Sequence, residues 1–338
     1  MTYSQRVRVL HSTRSAGSET KYATHMAATA GDGVEVSFFS WPRALFGRYD
    51  VFHMHWPEAL VGDRPGLKGT ALAALSELLR ARLRLTRTPV VYTLHNREPH
   101  EGASPRQLRA RERFERLASV EIHLVPEPAR DTAAHVVDIP HGSYVEPYAA
   151  HPRVARVPGR ILFFGLIRAY KGVEDLLAAF AALPTVDATL RLVGKPLDPA
   201  LATAIEGADA ADARVSHRFG FLADRELAAE VSAAQVVVLP YRELHSSGVV
   251  LVALSLNRPV LIPDSPTGRA LRDEAGAAWV HLFEGRLTAD HLAEVLAATS
   301  SPPAQDPDLS ARTWGRVRAA HAAAYRCAVA LKKGTPDA

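Results

Sequence analysis

The sequence predicts an α/β protein built from two successive doubly wound, Rossmann-like domains. Short β-branched stretches alternate with longer stretches rich in Ala, Leu and Arg along its 338 residues, which is typical of repeated β-α-β units. The alternation stops at residues 148–160 (YAAHPRVARVPGR), which contain two prolines and no long apolar stretch. We therefore predict an N-terminal domain at 1–148, a C-terminal domain at 149–315 and a terminal helix at 316–338.

The order of the elements follows from the same alternation. The predicted strands lie at 6–10, 34–39, 51–55, 90–94, 122–125 and 136–139, then at 161–164, 189–193, 215–219, 236–239 and 260–262. Leucines at helical spacing predict a helix at 67–85, and Ser104 followed by proline predicts the capped start of a helix that runs to about 118. Further helices are predicted at 172–183, 224–233, from 247, at 288–299 and at 310–332.

The composition excludes several classes of protein. A hydrophobic fraction of 47% and a charged fraction of 22% are ordinary for a globular protein and exclude a disordered chain. The single cysteine, Cys327, excludes a disulfide framework and is expected to be an inert thiol. The first residues (MTYSQRVRVLHSTR) lack the apolar stretch of a signal peptide, and no apolar run would span a bilayer. We expect a cytoplasmic protein.

Residues 161–180 (ILFFGLIRAYKGVEDLLAAF) have the pattern of a phosphate-binding turn. A strand ends at Gly165, Arg168 and Lys171 follow, and Gly172 opens a helix. Glycine allows close backbone approach, and a helix N-terminus with two cations attracts a diphosphate. The alternative, a basic turn on a solvated surface, stays open.

A second polar turn lies in residues 236–263. A buried strand ends at Pro240, and a polar loop containing Glu243 leads to Ser246, Ser247 and Gly248 at the start of an apolar helix. Hydroxyl and backbone N–H groups at that position could bind phosphate oxygens, and Glu243 could accept hydrogen bonds from a sugar or ribose. Ordinary N-capping by the serines is the open alternative.

Together with residues 219–227 (FGFLADREL), these segments resemble the C-terminal domain of the GT-B glycosyltransferases, in particular the large retaining group that includes sucrose synthase and mannosyltransferases. The resemblance implies two domains that face a cleft, a terminal helix that returns to the N-terminal domain, and a nucleotide-sugar donor as substrate. It also implies these donor contacts: Gly165, Arg168 and Lys171 at the diphosphate; Gly194, Lys195 and Phe221 beside the base; Glu243, Ser246, Ser247 and Gly248 at the sugar and distal phosphate.

One feature of the retaining group is absent. That group has two glutamates eight positions apart on this loop and helix, and alignment on residues 259–260 places the second at Val252. That pair contacts the ribose and sugar of the donor, so neither those two contacts nor the retaining outcome is implied for this chain.

Residues 53–58 (HMHWPE) and 92–101 (YTLHNREPHE) resemble bacterial exopolysaccharide β-mannosyltransferases. This resemblance implies transfer of a hexose, best assigned as mannose from GDP-mannose, to a glycan, glycolipid or small-molecule hydroxyl. The polar residues follow strand ends, where they would face a cleft, although such residues also satisfy loop backbone groups. The catalytic candidates are His95, Glu98, Glu101 and Glu58, and the acceptor or cleft candidates are Asn96, His100, His141 and Gly17.

Other activities are disfavoured or kept as alternatives. The chain has neither a Gly-x-Gly-x-x-Gly motif nor a Walker motif, and its 15 histidines are dispersed without zinc spacing. GT-B enzymes neutralise phosphates with protein charges, so we expect no metal and no cofactor. The alternatives are a UDP-sugar-dependent transferase, a nucleotide-sugar epimerase and a non-catalytic GT-B-fold partner.

Positive charge is concentrated in two segments, although the net charge is only +4. Residues 64–116 carry 12 Lys/Arg against 5 Asp/Glu, and residues 309–336 carry 6 Lys/Arg and no acid. We expect peripheral contact with an anionic membrane surface at the inner face, and no nucleic-acid partner. The alternative is that both segments are solvated Arg-rich helices.

Overall fold

The computed structural model describes residues 6–14, 33–61, 66–95, 104–125, 132–242 and 248–333. The chain divides into two compact units, of which unit 1 contains Met1–Gly142 and Arg312–Ala338 and unit 2 contains Ser143–Ala311. The divisions thus fall a few residues before the predicted positions 148 and 315. The terminal segment belongs to the same unit as the N-terminal half of the chain.

Each unit alternates strands with helices. Unit 1 contains β1 (Val7–His11), β2 (Val34–Ser37), α1 (Trp41–Phe46), β3 (Val51–Met54), α2 (Glu58–Val61), α3 (Leu67–Leu85), β4 (Val90–Leu94), α4 (Pro105–Glu115), β5 (Ala118–His123) and β6 (His135–Asp138). Unit 2 contains α5 (Val145–Tyr148), β7 (Arg160–Phe164), α6 (Val173–Ala181), β8 (Thr189–Gly194), α7 (Pro199–Ala211), β9 (Val215–Phe219), α8 (Asp224–Ala233), β10 (Val236–Val238), α9 (Gly248–Ser255), β11 (Val260–Pro263), α10 (Pro266–Ala275), β12 (Val280–Phe283) and α11 (Ala289–Ala298). Helix α12 (Trp314–Lys333) belongs to unit 1.

The described strands form one parallel six-stranded sheet in each unit. The order is β2-β1-β3-β4-β5-β6 in unit 1 and β12-β11-β10-β7-β8-β9 in unit 2, the second being the Rossmann order. The predicted fold class, two parallel α/β domains, is confirmed. The strand order changes direction between β1 and β3 in unit 1 and between β7 and β10 in unit 2. In such sheets ligands bind beyond the carboxyl ends of the strands at these switch points.

Several predicted boundaries are wrong. The strand expected at 122–125 is β5, which begins at Ala118 because it pairs with β4 from Val90 onward. Helices α7 and α10 and strand β12 were not predicted. The start of α7 nevertheless has the sequence pattern of a capped helix. The Asp198 side chain accepts a hydrogen bond from the Ala200 N–H, and proline follows at the first helical position.

Helix α12 covers one face of the unit 1 sheet. Its Trp314, Val317 and Tyr325 are buried in one cluster with strand residues that include Val51 and Val91. The other face is covered by α1, α3 and α4, as shown by buried residues such as Phe114. No helix in the described part of the chain is long and apolar enough to cross a membrane.

Candidate functional site

Two glycines shape a cradle at the carboxyl ends of β7 and β8. Gly165 follows β7 with φ of +108°, and Gly194 ends β8 with φ of +152°. A Cβ on Gly194 would collide with the carbonyl oxygen of Gly165, and a Cβ on Gly165 would lie 3.2 Å from Cγ2 of Val249. Glycine at both positions therefore lets three backbone segments, including the first turn of α9, approach one another closely.

A short 3₁₀ turn, Ala169–Lys171, carries a buried cation into this cradle. The turn ends at Gly172, which has φ of +65° and where a Cβ would collide with the carbonyl oxygen of Pro240. The side chain of Lys171 is buried, with Nζ 5.0 Å from the centroid of the Tyr241 ring and 3.7 Å from the position a Cβ would take on Gly165. Burial and the nearby Arg168 lower the pKa of Lys171 to about 8.

A buried cation with a lowered pKa is a site that an anion would stabilise. Lys171 and the half-buried Arg168 stand at the switch point of the sheet, next to the start of α9 at Gly248. The structure therefore brings together Gly165, Arg168, Lys171 and the first turn of α9, as the phosphate interpretation requires. Two positive charges and a helix N-terminus suit a diphosphate.

Lys195 and Phe221 lie together at the ends of β8 and β9. The Lys195 Nζ is 5.8 Å from the centroid of the Phe221 ring, whose side chain is 70% exposed. The Gly220 N–H donates to the carbonyl of Gly194 at 3.0 Å, which fixes the two strand ends side by side. An exposed ring beside a cation offers a surface on which a flat base could stack.

The remaining donor predictions concern the loop before α9. Glu243, Ser246 and Ser247 lie outside the described residues. Val252, which stands where the retaining group has its second glutamate, is buried in the core of unit 2. That position therefore packs against apolar side chains and offers no polar contact to a donor.

Histidines from neighbouring strands come together at the switch point of the unit 1 sheet. His11 ends β1, His53 lies in β3, and His55 and His95 follow β3 and β4. Nδ1 of His11 is 3.1 Å from Nε2 of His55, and Nδ1 of His55 is 3.0 Å from Nε2 of His95. We call these four residues and His321 of α12 the histidine cluster. Histidines that are dispersed in the sequence are thus brought together by the fold.

Helix α12 and β4 add two hydroxyls to this cluster. Nδ1 of His53 is 2.7 Å from the Tyr325 hydroxyl, and Nε2 of His53 is 2.8 Å from Oγ1 of Thr93. The Tyr325 hydroxyl is also 3.3 Å from Nε2 of His11. Hydrogen bonds therefore connect His95 at one end to Thr93 at the other.

Burial keeps the imidazoles of His11, His53, His55 and His321 neutral. It lowers the pKa of His11 to about 3 and that of His321 to about 4, and it holds the pKa values of His53 and His55 well below the ordinary value. Electrostatic repulsion among the rings also lowers the pKa values of His53 and His55. Nitrogens of His11, His53 and His55 are close enough to hold a metal ion, but both nitrogens of each ring already have a hydrogen-bond partner.

His95 stands at the less buried end of the hydrogen-bonded series. Its ring is half-buried and stacks on Trp56, with centroids 4.1 Å apart and planes 19° apart. Two contacts of the His95 ring thus come from the adjacent residues His55 and Trp56 that follow β3. An imidazole held in this way could accept a proton from a hydroxyl.

The other two described candidates of unit 1 have structural contacts. Glu58 begins α2, and its charge acts on Tyr92 and on the buried Arg111. The Nδ1–H of His141 donates to the carbonyl of its neighbour Gly142 at 2.8 Å. Asn96, Glu98, His100, Glu101 and Gly17 lie outside the described residues.

Comparisons with known proteins assign the family. Residues 158–298, which contain the cradle, match the family described as glycosyl transferases group 1. The chain is 41% identical over 328 residues to the GDP-mannose:glycolipid 4-beta-D-mannosyltransferase of Xanthomonas campestris pv. campestris, covering 95% of this chain and 92% of the relative. The chain belongs to the group 1 glycosyltransferases.

Solved structures agree with this assignment at the level of the fold. This glycosyltransferase matches sucrose-phosphate synthase from Thermosynechococcus elongatus with a TM-score of 0.57 at 18% identity, over 98% of both chains. It matches HepE from Anabaena, solved with UDP and glucose, with a TM-score of 0.59 at 16% identity, over 97% of this chain and 98% of that one. The expected GT-B fold is confirmed.

Sequence reasoning missed part of the histidine cluster of this glycosyltransferase. His11 carries a readable signal, because a histidine ends the first β-branched stretch just as His55 and His95 follow later ones. No local signal marks His321 and Tyr325, which reach the cluster through the packing of a distant helix; Tyr325 is 272 residues from its partner His53.

Proposed function

We propose that this glycosyltransferase transfers mannose from GDP-mannose to a hydroxyl group of a glycolipid. The observation that carries the proposal is the 41% identity with the Xanthomonas mannosyltransferase, which extends over 95% of this chain and so includes both units. Identity limited to unit 2 would have supported only nucleotide-sugar binding. The name of the relative states both the donor and the acceptor class.

The cradle of unit 2 takes the diphosphate of the donor. Lys171 and Arg168 neutralise the charge that develops on the leaving GDP, and Phe221 and Lys195 flank the base. The burial of Lys171 supports this role, because the lowered pKa of its ammonium group means that an anion would relieve an existing electrostatic cost. Protein cations here take the part that a metal ion has at other diphosphates, so transfer needs no metal.

His95 of unit 1 takes the proton of the acceptor hydroxyl. Conversion of an α-linked sugar phosphate into a β-glycoside inverts the anomeric carbon, and an inverting transferase needs one general base. Among the described residues, His95 is the candidate base that has an imidazole beside the switch point. Glu58, Glu98 and Glu101 remain candidate bases as well. A neutral imidazole accepts the proton as the hydroxyl attacks, and the diphosphate leaves from the opposite side.

A membrane-bound acceptor is compatible with the surface of α3. This helix exposes Leu67 and Leu85, at 90% and 85%, beside the exposed cations Lys68 and Arg84. Apolar and basic side chains together bind anionic membrane surfaces. We therefore include peripheral membrane contact in the proposal. Leu85→Asp should lower co-sedimentation with phosphatidylglycerol vesicles, while Val186→Asp, at an exposed position of unit 2, should not. Equal co-sedimentation with pure phosphatidylcholine would refute the electrostatic part.

The function is tested with purified protein, GDP-[14C]mannose and a lipid-linked oligosaccharide ending in a free sugar hydroxyl. We expect labelled product in EDTA, much less product with Lys171→Met at limiting GDP-mannose, and normal product with Lys332→Met, an exposed lysine of unit 1. Transfer from UDP-glucose in place of GDP-mannose would assign a different donor. Absence of both transfer and GDP binding would refute the proposal and favour a non-catalytic partner.

A further inference from the structure

Three arginines of unit 2 lie together at the edge of the sheet opposite to the cradle. Arg153 and Arg156 precede β7 and Arg258 precedes β11, so all three stand at amino-terminal strand ends, whereas the cradle stands at carboxyl ends. We call these three residues the arginine cluster. Arg153 is exposed, and Arg156 and Arg258 are half-buried, so an ion from solution can reach all three.

Hydrogen bonds hold Arg258 and Arg153 at the ends of two helices. Nε of Arg258 donates to the carbonyl of Ser232 in the last turn of α8 at 2.8 Å, and its Nη1 donates to the carbonyl of Asn257 at 2.7 Å. Nη2 of Arg153 donates to the carbonyl of Ser255, the last residue of α9, at 3.4 Å. Because residues 255 and 257 are two positions apart, these bonds bring the two guanidinium groups to the same place.

Arg156 joins them from the end of a third helix. Its Nη2 donates to the carbonyls of Thr299 and Ser300, which follow α11, at 2.7 and 2.6 Å. The adjacent Val157 N–H donates to the carbonyl of Ala233, the last residue of α8, at 2.9 Å. The backbone that carries Arg156 therefore runs along the end of the helix to which Arg258 is bonded.

The positive charges of the cluster are not cancelled. No carboxylate in the described part of the chain forms an ion pair with any of the three, and no acid contributes to the pKa shift of Arg258. The C-terminus of a helix carries about half a negative charge, so three helix ends offset only about half of three full positive charges. Burial, with repulsion from Arg156 and Arg153, lowers the pKa of Arg258 to about 10, and the group stays charged at neutral pH.

We propose that the arginine cluster is a second anion site of unit 2, which binds a phosphate group on the side of the sheet opposite to the cradle. A guanidinium presents five N–H donors in one plane and binds phosphate oxygens in pairs. Nη2 of Arg258 and Nη1 of Arg156 have no partner among the described residues, so N–H groups remain for such oxygens. A phosphate dianion that contacts all three side chains would also remove their mutual repulsion. The phosphate group belongs either to a free ion or to the headgroup of an anionic lipid.

The competing interpretation is that these arginines only cap helix ends. Cationic side chains do bond the last carbonyls of helices, and Arg156 and Arg258 fit that role. Capping explains Arg153 least, because its one bond to a carbonyl is 3.4 Å long and its side chain is exposed. A third cation that adds repulsion and little capping favours an anion shared by the cluster.

The site is tested by titration calorimetry of inorganic phosphate into the full-length protein saturated with GDP, which occupies the cradle. Sodium chloride keeps the ionic strength constant, so that screening of surface charges does not contribute. We expect one phosphate to bind per chain and Arg153→Gln to weaken that binding about tenfold or more, because a charge-assisted contact is lost. Phosphate should also raise the midpoint of thermal unfolding of the wild type and not that of Arg153→Gln.

Arg225→Gln is the matched control, since it removes an exposed arginine from the first turn of α8, at the end of the helix away from the cluster. It makes the same change of charge and should leave phosphate affinity unchanged. Arg153 is chosen for the test because its exposed side chain contributes little to folding. Equal phosphate affinity of wild type and Arg153→Gln would overturn the proposal, as would an equal loss in Arg225→Gln or the absence of phosphate binding.

Vesicles distinguish the two sources of the phosphate group. Phosphatidylcholine vesicles that contain phosphatidic acid are co-sedimented with the Leu85→Asp protein, in which the exposed leucine of α3 is replaced. Loss of this co-sedimentation on adding Arg153→Gln would assign a lipid headgroup to the site. Phosphate binding in calorimetry without such a loss would assign a free phosphate ion. Neither measurement requires transfer of mannose, so failure of this proposal is distinct from failure of the proposed function.

Discussion

Replacing Lys171 by methionine should stabilise the free protein at neutral pH and weaken its binding of GDP. The lysine side chain is 7% exposed, and its neighbours are the Tyr241 ring and the cation Arg168. Burial therefore removes water from the ammonium group, and no anion in the described part of the chain replaces that water. Methionine has a similar length and no charge, so it fills the same space without that cost.

The magnitude follows from the pKa of Lys171, which is lowered from 10.5 to about 8. That difference corresponds to about 3 kcal/mol at 1.36 kcal/mol per pKa unit, an upper value for the stability gained by Lys171→Met at pH 7. Below pH 8 the lysine is charged in both the folded and the unfolded state. Between about pH 8 and 10.5 the unfolded state binds more protons, so wild-type stability rises with pH and the advantage of the variant shrinks.

The assay is calorimetry of wild type and variant from about pH 7 to about pH 10, with and without GDP. A gain of about 1–3 kcal/mol at pH 7 would raise the midpoint of thermal unfolding by roughly 2–10 °C. GDP should bind the variant about tenfold to a hundredfold more weakly, since a charge-assisted hydrogen bond contributes about 1.5–3 kcal/mol. Lys195→Met removes an exposed lysine of the same unit and should give no pH-dependent gain. A destabilised variant that binds GDP normally would refute both the buried-charge argument and the phosphate role.

Three further predictions concern the cradle, the base and the histidine cluster. Gly172→Ala should destabilise the protein by about 1–3 kcal/mol, because residue 172 has a positive φ and a Cβ there would collide with Pro240. Gly207→Ala is the control: it lies inside α7 with open space for a Cβ and should stabilise the protein by about 0.5–1 kcal/mol. Equal effects of the two substitutions on thermal unfolding would contradict this prediction. Phe221→Ala should weaken GDP binding by about 1–3 kcal/mol and leave inorganic diphosphate binding unchanged, as measured by titration calorimetry. The four buried members of the histidine cluster have lowered pKa values, so below pH 6.5 the unfolded state binds more protons than the folded state. The free energy of unfolding should therefore fall by up to about 1.4 kcal/mol per pH unit for each of them. A free energy of unfolding that does not change between about pH 6.5 and 5.5 would contradict the burial of these rings as neutral groups.

The cradle could be predicted from the sequence because its parts are local. Gly165, Lys171 and Gly172 lie within eight residues, and the turn that gathers them is determined by two glycines with positive φ. The alternation of strands and helices then placed this turn at the carboxyl end of a strand. The pattern left open whether Lys171 is solvated or buried, because its burial depends on Tyr241, which follows a different strand, β10.

The hydrogen-bonded series of unit 1 could not be predicted in the same way. It joins residues from β1, β3, β4 and α12, so it exists only once the strand order and the packing of the last helix are known. The spacing of the histidines suggested no common site, because the pairs His11–His55 and His55–His95 are each separated by 40 or more residues in the sequence. Periodicity identified α12 as helical, but only its packing shows that Tyr325 faces the strand ends.

The two switch points have opposite electrostatic characters, and each suits one half of a glycosyl transfer. In unit 2 the fold buries a cation that has no anionic partner among the described residues, and the charge of a leaving diphosphate would supply one. In unit 1 the fold buries imidazoles whose pKa values fall, and one of them, His55, contacts His95, the proposed acceptor of the hydroxyl proton. Lys171→Met and His95→Gln should therefore separate the two halves. The first should act mainly on donor affinity, and the second on the rate of transfer at saturating donor.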